Sequence, residues 1–192
     1  MNRRQFLQRT TTTAACALCT RSLWSEEAAL PEVKHVHVVF KTHLDVGYTD
    51  FVENVLERYF EHFIPSAISL ARQLREESLE MRMVWTTGAW LIYEYLERAD
   101  SEQRRRMEEA IAAGEVAWHA LPMTFHSELV DADHFRHGLT LAKRLDRRFG
   151  RTTVAGKMTD VPGHTRGIVP LLDEAAIRLL HIGAIPASAA PE

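Results

Sequence analysis

Hydrophobic and polar residues follow two different periods along the chain from about residue 33 onward. Short runs place apolar residues at every second position, as at Val36, Val38 and Phe40, whereas longer stretches space them three and four apart. The first spacing is typical of β-strands and the second of amphipathic helices. The pattern predicts strands at 36–42, 81–87, 115–121, 152–159 and 178–183, with helices beginning near residues 49, 90, 101, 133 and 168.

Proline, serine and glycine mark where these helices are expected to begin and end. Pro65 predicts a kink or break in the first helical stretch, because proline has no N–H to donate to the preceding turn. Ser101 is the expected N-cap of its helix. Gly114 and Gly150 are expected to stop the helices that precede them.

Alternation of strands with helical crossovers predicts an α/β fold with parallel strands and right-handed βαβ connections. Five strands do not close an eight-strand parallel barrel, which typically needs about 250 residues. The sequence stops at residue 192, soon after the fifth predicted strand. We therefore expect an incomplete domain at 31–192, either the N-terminal part of a longer protein or the product of an interrupted reading frame.

Residues 1–30 have the layout of a bacterial export signal. Arg3 and Arg4 are followed by Phe6, Leu7 and a weakly apolar stretch, as in twin-arginine signals. A disordered terminus with two chance arginines is the alternative. We expect export to the periplasm or the outside of the cell. Both cysteines, Cys16 and Cys19, lie in this segment, so a metal in the remaining domain requires histidine and carboxylate ligands. Lipidation at Cys16 is a further alternative.

Charge and hydropathy exclude some classes of partner. The net charge is −3 and the isoelectric point is near 6.4, with lysine and arginine scattered along the chain. Nucleic acids and anionic membranes are usually bound through concentrated basic surfaces, so we expect no nucleic-acid partner. The export segment is too short and too polar to be a stable membrane span. Oligomeric state is not predicted.

Three polar side chains stand where predicted strands end. His43 and Asp45 follow the first strand, and Asp160 follows the fourth. Because the carboxyl ends of parallel strands share one edge of a sheet or barrel, these residues are expected to meet around a single cation. The alternative is a polar cluster at the strand ends without a metal.

Several segments in this order resemble the N-terminal catalytic domain of glycoside hydrolase family 38, the class II α-mannosidases. These segments are His43 to Asp45, Trp85 to Glu94, Gly114 to Trp118, Phe149-Gly150 and Asp160 to Thr165. The resemblance covers residues 33–184 and implies the N-terminal part of an incomplete seven-strand β/α barrel. It also implies a zinc-dependent retaining glycosidase of the α-mannosidase type that acts on carbohydrate.

The resemblance implies a role for each matched residue. His43 and Asp45 would bind Zn²⁺, and Asp160 would both bind the metal and act as the catalytic nucleophile. Tyr48 stands where the family has a tryptophan and is expected to stack on a sugar ring. His164 is expected to contact substrate or orient Asp160. The family's fourth ligand, a histidine, and its acid/base carboxylate would lie beyond residue 192.

Departures from the family pattern indicate a divergent branch with its own sugar specificity. The loop at residues 160–164 reads Asp-Val-Pro-Gly-His, where the family usually has Asp-Pro-Phe-Gly-His or Asp-Ser-Phe-Gly-Tyr. Where the family often has an arginine, the chain reads His181-Ile182-Gly183-Ala184.

Other polar residues leave alternatives open. His119 and His126 flank the Pro122 loop near the expected active face, and each either contacts the substrate or does not. Glu128 is either a carboxylate near the sugar or a helix cap. His62, His134, His137 and His181 are expected to be structural, and His35 and His37 are expected to be structural or to lie at the surface. Two other functions stay open: a metal-dependent carbohydrate deacetylase and a non-catalytic carbohydrate-binding fragment.

Overall fold

The structure is a computed structural model that describes residues 34, 38, 42–78, 82–161 and 163–184. The chain divides after Val38, and every described helix and strand belongs to the part from residue 39 onward. The predicted export signal at 1–30 and its cysteines lie outside the described residues. So does most of the predicted first strand, of which Val38 and Thr42 are described.

Helices and strands alternate as the hydrophobic periods predicted. In chain order they are α1 (Val52–Arg58), a π-helical turn (Tyr59–Phe63), α2 (Ile64–Glu77), β1 (Trp85–Gly88), α3 (Ala89–Arg98), α4 (Ser101–Ala112), β2 (Val116–His119), a 3₁₀ turn (Ser127–Leu129), α5 (Ala132–Phe149), β3 (Ala155–Val161), α6 (Ile168–Glu174) and β4 (Leu179–Ala184). No helix in the described part of the chain is long and apolar enough to cross a membrane.

The strands are parallel and neighbour one another in chain order. β1 pairs with β2, with Trp85 beside Val116, and β3 pairs with β4, with Ala155 beside Leu179. The Ala120 N–H donates to the Ala155 carbonyl at 2.9 Å and links the two pairs. The described strands therefore form an open α/β arrangement of short parallel strands, and they do not close a barrel.

The end of the first predicted strand is hydrogen-bonded to β1. The Thr42 N–H donates to the Thr86 carbonyl at 3.3 Å, which is the kind of contact that joins neighbouring strands. Thr42, the last residue of that predicted strand, therefore lies at the edge of β1. This contact places His43 near the carboxyl ends of the described strands.

Pro65 does not interrupt the first helical stretch. The chain stays helical from α1 through the π-helical turn into α2, and the Ile64 N–H donates to the Tyr59 carbonyl five residues earlier. Widening the helix by one residue lets the backbone pass the missing proline N–H without a break. The predicted break at Pro65 is therefore wrong, because a π-helical turn keeps the chain helical up to the proline. The predicted kink stays a prediction.

The N-cap of α4 lies one residue earlier than predicted. The Asp100 carboxylate accepts the Gln103 N–H at 2.8 Å, and the Gln103 side chain accepts the Asp100 N–H at 3.2 Å. This reciprocal pair is a capping box, and Ser101 is the first helical residue. The predicted helix ends are confirmed: Gly114 follows α4 and Gly150 caps α5, both with positive φ.

Among the described residues, two groups of buried apolar side chains form the core. The larger packs α1 to α4 against β1 and β2, and α5 contributes Leu141, Ala142 and Leu145. The smaller lies between β3, α5 and α6 around Met158. Trp118 ties β2 to α5, because its indole N–H donates to Asp146 at 2.9 Å. The helices thus pack against the strands and support them.

A buried carboxylate holds α2 against the start of β2. Glu115 is 4% exposed and pairs with Arg75 and with Arg72, whose Nε lies 3.4 Å from the carboxylate. We expect Glu115→Ala to lower the free energy of unfolding by about 1–3 kcal/mol, because the two guanidinium groups lose a buried partner. Denaturant titration measures this loss.

Glu109→Ala is the matched control, since Glu109 is the more exposed partner of Arg72, at 3.9 Å. Its effect should stay within about 0.5 kcal/mol, as for other exposed ion pairs. An equal loss of unfolding free energy in the two variants would show that the burial of Glu115 adds nothing to stability.

Candidate active site

His43 and Asp160 meet at the carboxyl ends of the strands. His43 Nε2 lies 3.4 Å from Asp160 Oδ2, and the two side chains are 42% and 60% exposed. Residues far apart in the sequence are thus adjacent in space, as the strand-end argument predicted for this pair. A pair this open to solvent can be reached by a ligand.

Asp160 has an unusual backbone conformation. Thr159 pairs with Gly183 and Val161 with Ala184, so Asp160 is the extra residue of a β-bulge in β3. Its φ angle is 64°, in the left-handed region. Bulges re-aim side chains, and left-handed non-glycine residues cluster at functional sites. The bulge explains how a strand residue comes to face His43 with most of its carboxylate exposed.

A side chain of the π-helical turn holds the backbone of His43 in place. The Tyr59 hydroxyl donates to the His43 carbonyl at 3.2 Å. Leu44 is buried between the exposed His43 and the half-buried Asp45. This hydrogen bond was not predicted from the sequence. A buried tyrosine hydroxyl usually finds a partner, and that was the available signal.

Asp45 does not complete a three-residue cluster with this pair. Within the described ranges, no group of three or more histidine, cysteine, aspartate or glutamate side chains lies close enough to share a metal ion. The structure therefore brings His43 and Asp160 together and leaves Asp45 two residues away on the same segment. Zinc binding by the three residues stays a prediction.

Tyr48 lies on a turn between this segment and α1. The Gly47 N–H donates to the Asp50 carbonyl at 3.0 Å, and the Tyr48 side chain is 91% exposed. Its neighbour Phe51 is also exposed. Exposed aromatic rings can stack on sugar faces, and the role of Tyr48 stays a prediction.

His164 lies on the loop after β3. It does not orient Asp160, because neither ring nitrogen has a hydrogen-bond partner among the described residues, although both are buried. The Asp160 side chain contacts His43 instead. Burial lowers the pKa of His164 below its ordinary value, the nearby His126 adds to this effect, and the Glu128 carboxylate opposes it.

This pKa shift predicts a pH-dependent stability. Because the unfolded chain binds a proton more readily than the folded one, stability should fall as the pH drops below about 6.5. Thermal unfolding between pH 7.5 and 5 should show a smaller decrease in His164→Phe than in the native protein. His137→Phe, at an exposed histidine on α5, is the control. An unchanged pH profile in His164→Phe would contradict the assignment.

The other candidates have separate places in the fold. His119 ends β2 and is buried. Asp131, not Glu128, caps α5: its carboxylate accepts the His134 N–H at 2.8 Å and contacts the His134 ring. Of the two alternatives for Glu128, the helix cap is therefore excluded. His134 is structural, as predicted.

Comparison with solved structures identifies the fold. The chain is similar to an α-mannosidase from Enterococcus faecalis V583, with a TM-score of 0.60 and 15% sequence identity over 75% of this chain and 16% of that one. It is also similar to the 4-α-glucanotransferase of Thermococcus litoralis, with a TM-score of 0.56 and 14% identity over 74% of this chain and 21% of that one. No family model and no curated protein matches the sequence. The chain thus has the fold of a minor part of each enzyme.

Proposed function

We propose that this protein is a carbohydrate-active enzyme, and specifically a zinc-dependent retaining glycoside hydrolase of the α-mannosidase type. The observation that carries the proposal is the His43–Asp160 pair, 3.4 Å apart at the strand ends, with Asp160 on a left-handed β-bulge. The shared fold with an α-mannosidase and a glucanotransferase supports a carbohydrate substrate.

The spacing of the pair suits a shared zinc ion. Two ligand atoms about 2.0–2.2 Å from a tetrahedral zinc lie roughly 3.3–3.6 Å apart, and His43 Nε2 and Asp160 Oδ2 are separated by 3.4 Å. Asp45 is the third ligand in this proposal. When bound, zinc holds sugar hydroxyls and favours the ionised form of nearby carboxylates.

The residues then have distinct tasks. The Asp160 carboxylate attacks the anomeric carbon, its oxygen bonds to that carbon as the glycosidic bond breaks, and water later releases the sugar with retained configuration. The leaving group takes a proton from a general acid that we do not assign to a described residue. Tyr48 offers a ring for stacking, and Tyr59 keeps the His43 backbone in place. The layout of residues 1–30 adds export from the cytoplasm to this proposal.

Zinc content tests the metal set directly. Asp45→Ala should bind much less zinc than the native protein, because one of three proposed ligands is lost. Asp133→Ala, at a highly exposed aspartate in the first turn of α5, should retain the native content. Elemental analysis of both purified variants gives the answer. Stoichiometric zinc in Asp45→Ala would remove Asp45 from the ligand set.

Activity separates this function from the alternatives. The zinc-loaded intact enzyme, including its general acid, should release nitrophenol from 4-nitrophenyl α-mannoside with retained configuration. Sugar binding without turnover would favour the non-catalytic carbohydrate-binding alternative. Release of acetate from an acetylated sugar, without glycoside cleavage, would favour the deacetylase.

A further inference from the structure

A second group of polar side chains lies where the loop after β2 meets the loop after β3. The Thr165 N–H donates to the Ser127 hydroxyl at 3.0 Å, which fixes the two loops to each other. Glu128 faces Gly163 across this contact, since a Cβ atom added to Gly163 would lie 3.6 Å from Glu128 Oε1. Because residue 163 is glycine, no side chain from this position contacts the carboxylate.

His164 adds an unsatisfied ring to this group. Both ring nitrogens are buried and lack a hydrogen-bond partner in the part of the chain that the structure describes. Any imidazole has at least one N–H to donate, and the neutral ring also offers an acceptor. Buried polar atoms in native proteins are nearly always satisfied by protein, water or ligand. Glu128 and His126 are both near enough to act electrostatically on the ring.

The chemistry of the group favours one class of ligand. A phosphate or carboxylate would be repelled by Glu128. A hydroxyl both donates and accepts, so it can pair with His164 in either tautomer, and a neighbouring hydroxyl can donate to Glu128. An imidazole beside a carboxylate thus suits a pair of adjacent hydroxyls.

We propose that Glu128 and His164 form a subsite that binds two neighbouring hydroxyl groups of a sugar. This inference rests on the proposed function, and it adds Glu128 as a substrate-binding residue and a diol as the recognised group. Ser127 positions the subsite through Thr165 without touching the sugar.

Calorimetric titration with methyl α-D-mannopyranoside and methyl α-D-glucopyranoside tests the subsite. Glu128→Gln keeps the shape of the side chain and removes its charge, while His164→Phe keeps a ring without nitrogens. Each change should weaken binding of the preferred glycoside about tenfold or more. Glu57→Gln and His137→Phe, at exposed positions on α1 and α5, should bind like the native protein.

A second measurement does not depend on the variants. In the native protein labelled at histidine, saturating glycoside should shift the ring signals of His164 and leave those of His137 in place. Native-like affinity in both site variants, or an unshifted His164 signal, would overturn the subsite. Binding of neither glycoside by the native protein would overturn it as well.

These outcomes are distinguishable from failure of the proposed function. Aryl mannoside hydrolysis with native-like binding in both variants would retain the glycosidase and reject the subsite. Weakened binding in both variants, together with no hydrolysis by the native protein, would retain the subsite and reject the glycosidase.

Discussion

Replacing Asp160 by asparagine is expected to lower the hydrolysis of an aryl α-mannoside by about 10³-fold or more. The amide keeps the size of the side chain but lacks the negative charge needed to attack the anomeric carbon. Asparagine also tolerates the left-handed conformation observed at this position, where φ is 64°. The variant should therefore keep its thermal stability. Because Asp160 is also a proposed zinc ligand, the zinc content of the variant is measured beside its activity, so that loss of the metal is separated from loss of the nucleophile.

Asp173→Asn, at an exposed position near the end of α6, is the matched control and should retain native activity. Trapping the native enzyme with a fluorinated glycosyl donor and mapping its peptides locates the nucleophile. A label on a peptide without Asp160 or a product of inverted configuration would reject the covalent mechanism, and near-native activity in Asp160→Asn would do so as well.

The element order was predictable because long amphipathic periods are strong signals. The helix predicted at 133–149 is observed as Ala132–Phe149, and the parallel order of the strands followed from the helical crossovers between them. Strand starts were less accurate, since β1 begins at Trp85 and not at residue 81. A short strand carries few alternating positions, so its first residues resemble the loop before it.

The observed helix ends differ from the predicted ones where neighbouring residues compete for the same role. Asp100 and Ser101 are both good caps, and only the capping box with Gln103 decides in favour of Asp100. At Pro65 the local rule predicted a break, but a wider helical turn keeps the backbone hydrogen-bonded. Local propensity identifies a helix start or a proline that disturbs a helix. It does not decide which residue becomes the cap or which backbone conformation the chain adopts there.

The candidate site was predictable in part. Because the carboxyl ends of parallel strands share one edge, the sequence was enough to predict that His43 lies beside Asp160. The β-bulge was not predictable, because aspartate adopts a left-handed backbone only when the surrounding structure imposes it. The position of Glu128 near Gly163 was not predictable either, because it accompanies the hydrogen bond between Ser127 and Thr165, which joins two loops that are distant in sequence.

Gly88→Ala is expected to destabilise the protein strongly, by about 3 kcal/mol or more. An added Cβ would lie 2.2 Å from the Pro122 carbonyl oxygen and 3.1 Å from Met123 Cα, both backbone atoms. That oxygen accepts the Trp90 N–H at 3.0 Å and thereby caps the start of α3. Relieving the clash requires moving the loop after β2 and losing this hydrogen bond.

Thermal and denaturant unfolding should therefore show a large loss for Gly88→Ala, since about 3 kcal/mol is a considerable part of a typical 5–15 kcal/mol stability. Gly167→Ala supplies the comparison, because its φ is −58° and its added Cβ would meet only the Thr165 side chain, at 3.5 Å and beyond. We expect that variant to be at least as stable as the native protein, as its unfolded chain has less conformational freedom. A native-like unfolding midpoint in Gly88→Ala would mean that the loop after β2 does not approach β1 as closely as the structure shows.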